Sequence, residues 1–428
     1  MKTGYLKAVV TTGGGSLPVQ ATVNVLSDGE ILDTLQTDEN GITETMALEA
    51  PPHDSLIPYS VCDVKAEALG YRAVHIYGIH IFESETSILP INMVPATESD
   101  GVIEHHIPPH QLVEPVECHP AIHECQHELL QELSIPEYIT VYIEKPNDSA
   151  QNLQVPFVSY IKNAASHAIY PNWPNAAIEA NIYCIISLAL SRVYQQPYKS
   201  KGHDFDIANN IDQVFVDGSH ILGSIDYMVD YVFNRFIKQS SQNEPFPALY
   251  SDGKYITCPG LWQWGTVQLA DRGYDALEIL RHYYPPDIEI VESKKIDGII
   301  EQFPDYALNE GMSGHYVEVL QSMLNKFSMY YPGIPAISQE DAIFGSETAA
   351  AVRAFQSVFE LASAPSGIVD WRTWHRVSQV LSAINRHESA STTPASPSRS
   401  SDKTPSNGLL TMLMLSQLIK QTSGLNRI

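Results

Sequence analysis

The sequence predicts a multidomain α+β protein: an N-terminal antiparallel β-sandwich, a central mixed α/β domain and a C-terminal three-helix domain. Three observations carry this. The first hundred residues alternate short β-branched runs with the turn signals Gly13-Gly14-Gly15, Asp28-Gly29 and Asn40-Gly41. Asn175 to Gln195 sets Ile178, Ile182, Ile185, Ile186, Ala189, Leu190 and Val193 on one side of a helix. Gly314 to Ile384 places Val317, Leu320, Leu324 and Phe327, then Thr348, Val352 and Phe355, then Trp371, Thr373 and Trp374 at helical spacing. A chain of 428 residues with 44% hydrophobic content is long enough for about three cores.

Residues 1–97 form the first domain. Tyr5 to Val10, Val19 to Leu26, Ile31 to Leu35, Val61 to Ala68 and Val74 to Ile81 are its expected strands. The strand from Pro18, the turn Thr37 to Gly41, the pair Gly70-Tyr71 and the closing Leu89 to Met93 resemble a carboxypeptidase-regulatory or transthyretin-like domain. That resemblance implies a scaffold without chemistry.

Residues 98–134 lose the pattern to prolines, acids and histidines and are expected to be an exposed linker. His105, His106, His110, Cys118, His119, His123, Cys125 and His127 crowd this stretch. His119, His123 and His127 would share one face of a helix, and imidazole and thiolate are good zinc ligands. A solvated, histidine-biased linker is the other reading, favoured because no Cys-x-x-Cys pair occurs.

Residues 135–298 are the central domain. Beyond the helix over 175–195, preceded by Pro171 and Pro174, helices are expected over Ile221 to Ile237 and Val267 to Arg272. Residues 299–386 hold the three-helix pattern. The Ser-, Thr- and Pro-rich stretch 387–408 cannot build a core and is expected to be a disordered tether. Leu410, Leu413, Met414, Leu418 and Ile419 predict a terminal amphipathic docking helix over 409–428.

Fifty acidic against 25 basic residues leave a net charge of −25, which excludes phosphate-neutralising nucleic-acid binding. No run of about twenty apolar residues suggests a membrane span, and the start MKTGYLKAVV lacks a cleavage-site pattern, so no secretory signal is expected. Five scattered cysteines do not describe a disulfide framework and fit synthesis in a reducing compartment.

Two segments carry a more specific signal. Gln263-Trp264-Gly265, Gly273, Ile279-Leu280 and Tyr283-Tyr284 resemble the signature of SpoIID/LytB domains. Leu320-Gln321, Phe344-Gly345 and the series Thr348, Ala351, Val352, Phe355, Gln356 resemble type 1 peptidoglycan-binding domains, with Ala342 where an Asp-Gly turn is commoner. Together with Ile107 to His110, Ile135 to Asn147 and Val155 to Pro174, this order resembles the SleC-type spore cortex-lytic enzymes over about residues 4 to 384. The resemblance implies lytic transglycosylation of peptidoglycan glycan strands, a removable pro-region cut by an activating protease at the linker, and a place in the spore cortex, coat or cell wall after synthesis in the mother-cell cytoplasm.

Such chemistry needs a carboxylic acid that protonates the glycosidic oxygen and then accepts a proton from the attacking hydroxyl. The positions where the family carries glutamates hold Ala168, Asn175 and Ala176, none of which exchanges a proton. Glu179, one turn further on, is the replacement candidate. Tyr250-Ser251-Asp252-Gly253 and Trp262 also depart from the family pattern, leaving Cys258 as a buried hydrophobe or a metal ligand. His203, Asp204 and Asp206 are expected to order a loop.

The expected glycan-contacting residues are Trp173, Trp262, Gln263, Trp264, Tyr283 and Tyr284, joined in the C-terminal module by Tyr331, Asp341, Phe344 and Trp374. Apart from the zinc considered for the linker, no cofactor is expected. Three functions fit: a peptidoglycan-binding relative with little or no activity, an active lytic transglycosylase using Glu179 or another acid, and a structural component of a spore layer or assembly.

Overall fold

A computed structural model describes residues 2–15, 17–97, 101–110, 112, 133–143, 151–253, 260–361 and 364–391. The N-terminal region builds two sheets, one of five strands and one of four that gains a fifth from the central region. Its strands are β1 (Lys2–Thr12), β2 (Leu17–Pro18), β3 (Thr22–Ser27), β4 (Glu30–Gln36), β5 (Met46–Ala50), β6 (Tyr59–Glu67), β7 (Val74–Phe82), β8 (Thr86–Asn92) and β9 (Ile103–His106). One sheet runs β4-β3-β6-β7-β9. In the other, β8 and β1 are neighbours, and β2 and β5 both pair with β1. Alternate residues such as Leu6, Ala8 and Val10, or Val23 and Val25, point into one shared apolar core, as the period of two requires.

Two pairings correct the expectation of a wholly antiparallel arrangement: β1 lies parallel to β8, and β7 parallel to β9. The second also corrects the reading of residues 98–134 as exposed linker throughout. Ile103 is half-buried on a strand, and Ile107, His110 and Leu112 are buried, because the apolar residues of that stretch reach cores on either side.

Strand β7 changes phase midway. The register shifts between Val64↔Ile76 and Cys62↔Ile79, so Val74, Ile76, Ile79 and Ile81 all enter the N-terminal core. His80 and Phe82 are thereby turned to the opposite face.

The central region begins with the hairpin β10 (Tyr138–Ile143) and β11 (Gln151–Pro156), followed by α1 (Phe157–Ala168) and α2 (Asn175–Gln195). Helix α2 has the expected bounds but is not amphipathic: from Ala177 to Ser191 all but Glu179 are buried. With the turn that follows it, Asn175–Lys201 is long and apolar enough to cross a membrane, yet 78% of its most apolar stretch is buried within the protein. It is the axis of the central core.

Next come β12 (Ile207–Ala208), β13 (Ile221–Leu222), α3 (Gly223–Val232) and β14 (Arg235–Gln239). The helix expected over 221–237 therefore ends at Val232. Asn234 donates to the Ser293 carbonyl at 3.0 Å, and Phe236 and Ile237 enter the core from a strand. Strands β15 (Tyr250–Ser251) and β16 (Leu261–Trp262) precede α4 (Gln263–Ala270) and α5 (Ala276–Tyr283), and β17 (Ile288–Glu292) pairs with β14. Helix α4 starts four residues before the expected Val267. Strand β13 pairs with β8, adding a central-domain strand to an N-terminal sheet.

The C-terminal module packs α6 (His315–Ser328), α7 (Ser346–Val358) and α8 (Trp371–Ser391) around a core whose fully buried members all lie between Leu308 and Ile384. Helix α8 continues through His387 to Ser391, past the point where composition predicts a tether. The rest of the tether, the segment 409–428 and the residues Cys118, His119, His123, Cys125, His127 and Cys258 lie outside the described residues.

Candidate functional site

Gln263 is fully buried at the first turn of α4, where its amide donates to the Ala168 carbonyl at 2.6 Å. Thr266 donates to the Gln263 carbonyl at 2.6 Å, and Asn181 donates to Thr266 at 3.0 Å. This chain of polar contacts fastens α4 to the end of α1 and to the middle of α2. Buried polar groups are tolerable only when paired in this way.

With the helix so fixed, Trp264 stands out from the surface at 48% exposure. Its ring lies 5.1 Å from Trp173 and 5.9 Å from Tyr170, and those two are 5.9 Å from one another. The three rings form an aromatic wall. Tyr170 is the member that sequence reasoning missed, although the adjacent aromatics of Tyr170-Pro171-Asn172-Trp173 were the available signal.

Trp262 and Tyr283, both half-buried, form a second pair 6.2 Å apart. A Cβ on Gly265 would collide with the Tyr283 hydroxyl, so the Gln-Trp-Gly glycine is explained by close approach. Tyr284 is interior: its hydroxyl donates to the Leu249 carbonyl at 2.6 Å and meets Cys184 Sγ at 3.4 Å. Burial pushes the Cys184 thiol up to about 12, which keeps it a neutral packing group.

The positions considered for a catalytic acid do not converge. Ala168 is buried beside Gln263, Asn175 is exposed at the start of α2, and Ala176 is half-buried against the core. Glu179 accepts a hydrogen bond from Tyr183 at 2.8 Å, and Tyr183 in turn bonds Arg235. Burial, then that carboxylate, raises the Tyr183 hydroxyl above its ordinary value. At 100° per residue, Glu179 points about 160° away from Asn181, which faces α4. The structure thus joins Ala168 to Gln263 and Trp173 to Trp264, but sets Glu179 on another face of α2. Asp206 is a loop-ordering residue, accepting from the Thr140 backbone at 2.9 Å and pairing with Lys199 at 2.5 Å.

In the C-terminal module, Tyr331, Phe344 and Trp374 are core residues, so they build the domain and do not offer a ligand surface. Asp341 is exposed and accepts from the Gln321 amide at 3.1 Å and from the Ile343 backbone at 2.9 Å. These two donors hold its carboxyl below the usual range. Ala342 closes that turn at φ 60° with its backbone N–H donated to Gln321.

Among the described residues no group of three or more His, Cys, Asp or Glu side chains is arranged to hold a metal ion. The histidines proposed for zinc, His119, His123 and His127, fall outside those residues.

Comparison with known proteins bears on one part of the chain. Residues 313–377 match the family described as a peptidoglycan binding domain. No curated protein matches. A solved structure titled "The Bacillus anthracis TIE protein" is similar at 17% identity and a TM-score of 0.17, over 22% of this chain and 17% of that one. The similarity is thus confined to a small part of either chain. The family match establishes a peptidoglycan-binding domain at 313–377, and the structure places it on a protein of mixed α and β elements.

Proposed function

We propose that the protein binds peptidoglycan of the cell wall or spore cortex, with a SleC-like arrangement of domains and little or no transglycosylase activity. The observation that carries the reading is the peptidoglycan-binding domain at 313–377, folded around a core of its own. The wall of Tyr170, Trp173 and Trp264 supports a second glycan contact in the central region. Aromatic faces suit the apolar faces of sugars and need no positive charge, in keeping with a net charge of −25.

Weak activity is supported by the chemistry at hand. Ala168, Asn175 and Ala176 cannot transfer protons, and Glu179 is engaged by Tyr183 away from the aromatic wall. Losing a positioned acid costs about a hundred- to ten-thousand-fold in rate. The purified full-length chain should therefore sediment with peptidoglycan sacculi, while chromatography of digested cortex shows almost no anhydromuropeptide. Failure of the folded protein to sediment would overturn the binding assignment. Abundant anhydro products, lost in Glu179→Gln, would instead identify an active enzyme.

A further inference from the structure

Four imidazoles from four segments meet where the N-terminal sheets join the central domain. They are His80 on β7, His110 after β9, His167 on α1 and His220 just before β13. All four are nearly or fully excluded from solvent, at 1%, 6%, 4% and 0% exposure. Ring centroids lie 5.0 Å apart for His80 and His220, 5.7 Å for His167 and His220, 5.9 Å for His80 and His110, and 6.4 Å for His80 and His167. Tyr59, Phe82 and Tyr170 close the cluster with apolar ring surface.

The contacts suit neutral rings. His80 bonds the Pro108 carbonyl, His110 Nε2 lies 3.2 Å from the Ile169 carbonyl, and His167 Nε2 lies 2.8 Å from Ser219 Oγ. His110 also reaches the Ser166 carbonyl, while Nδ1 of His80 and Nε2 of His220 are buried with no hydrogen-bond partner. A proton added there would be both unsolvated and unpaired. Carboxylates on the packed elements are committed elsewhere. Glu85 accepts from the Thr86 and Ser224 backbones, Asp63 accepts from Gly78, Asp217 faces His105, and Asp226 and Asp230 hold Lys162 of α1. On β7 itself, His75 stacks on Tyr77, which stacks in turn on His106 of β9.

We infer that this joint is an acid-sensitive latch: protonation of His80, His110, His167 and His220 undocks residues 107–110 and the N-terminal sheets from the central domain. The direction follows from burial. Desolvation and mutual repulsion hold His80 down at about 3, while burial holds His110 down at about 4 and drives His167 and His220 well below their ordinary value. All four lie below the value near 6.5 that they regain once exposed. The closed joint is therefore fully stable above about pH 6.5 and weakens as pH falls below it. Because four groups belong to one joint, opening takes up as many as four protons, and its equilibrium rises by up to about 10⁴-fold per pH unit. Other ties also cross the joint: the two-residue pairing of β13 with β8, the Glu85–Ser224 bond, the approach of His105 to Asp217, and the packing of Phe82 in the central core and of Val216 in the N-terminal one.

Hydrogen exchange of the full-length chain from pH 7.5 to 4.5, corrected for intrinsic rate, tests the latch. Peptides covering residues 76–82, 103–110, 163–170 and 216–222 should open together with an apparent uptake of two to four protons, while α6 and α7 of the C-terminal module stay protected. His110→Phe keeps a ring beside Tyr170 and should reduce the uptake by one, and His220→Gln should do the same should the first variant pack poorly. Opening that changes less than tenfold per pH unit, or that coincides with unfolding of the C-terminal module, would overturn the proposal.

Discussion

Gln263 and Gly265 illustrate how single residues set the aromatic face. Replacing Gln263 by Leu strands the buried Ala168 carbonyl and should cost about 1–3 kcal/mol in denaturant unfolding. Gly265→Ala should cost about 1–3 kcal/mol through the clash with Tyr283, and much of that should return in a Tyr283→Phe background, which removes the clashing oxygen. Both residues were legible in the Gln-Trp-Gly signature. Their reasons were not, because the partners Ala168 and Tyr283 are brought in by packing between helices distant in sequence. Tyr331, Phe344 and Trp374 show the converse: the family pattern predicts aromatic residues at the binding surface, and the bulk of these three fills the core instead.

Whole elements were legible where a single periodicity ran long enough, as in α2, whose ends fall where Pro174 and the left-handed Gln196 place them. Short elements were not. Residues 221–237 have helical spacing throughout, yet pairing with β17 turns the last three, Arg235 to Ile237, into a strand, a tertiary choice that local pattern does not encode. The phase change in β7 is equally hidden, because one extra residue moves His80 from one face of a sheet to the other. The C-terminal module is the element set most nearly independent of the rest. A fragment spanning residues 308–386 should fold by circular dichroism and sediment with sacculi, and Trp374→Ala within it should lower stability by about 3–5 kcal/mol in guanidinium titration.

Across the molecule, the module does not hang free. Glu137 of the central domain meets Ser382 at 2.6 Å and also binds Arg386, whose guanidinium lies over the Tyr138 ring. His375 of α8 stacks on Phe233, the residue that follows α3, at 4.2 Å, and Asn40 of the N-terminal region meets the Gly333 backbone. Burial, reinforced by the Arg376 and Lys162 charges, pulls His375 down to about 3. Its contribution is likewise complete above pH 6.5 and lost as pH falls. One histidine takes up one proton, so local exchange around 371–378 should rise no more than about tenfold per pH unit, a much shallower response than at the four-histidine joint.

The pairing of β13 with β8 also has a consequence for biosynthesis. The edge of an N-terminal sheet is completed by Ile221 and Leu222, which are translated about 130 residues after their partners Ser87 and Ile88. At about 5–20 residues per second, that edge waits on the order of ten seconds with its backbone amides unpaired. An open edge is a template for a second strand, so nascent chains arrested before Ile221 should associate with one another on the ribosome, and those arrested beyond the end of α3 should not.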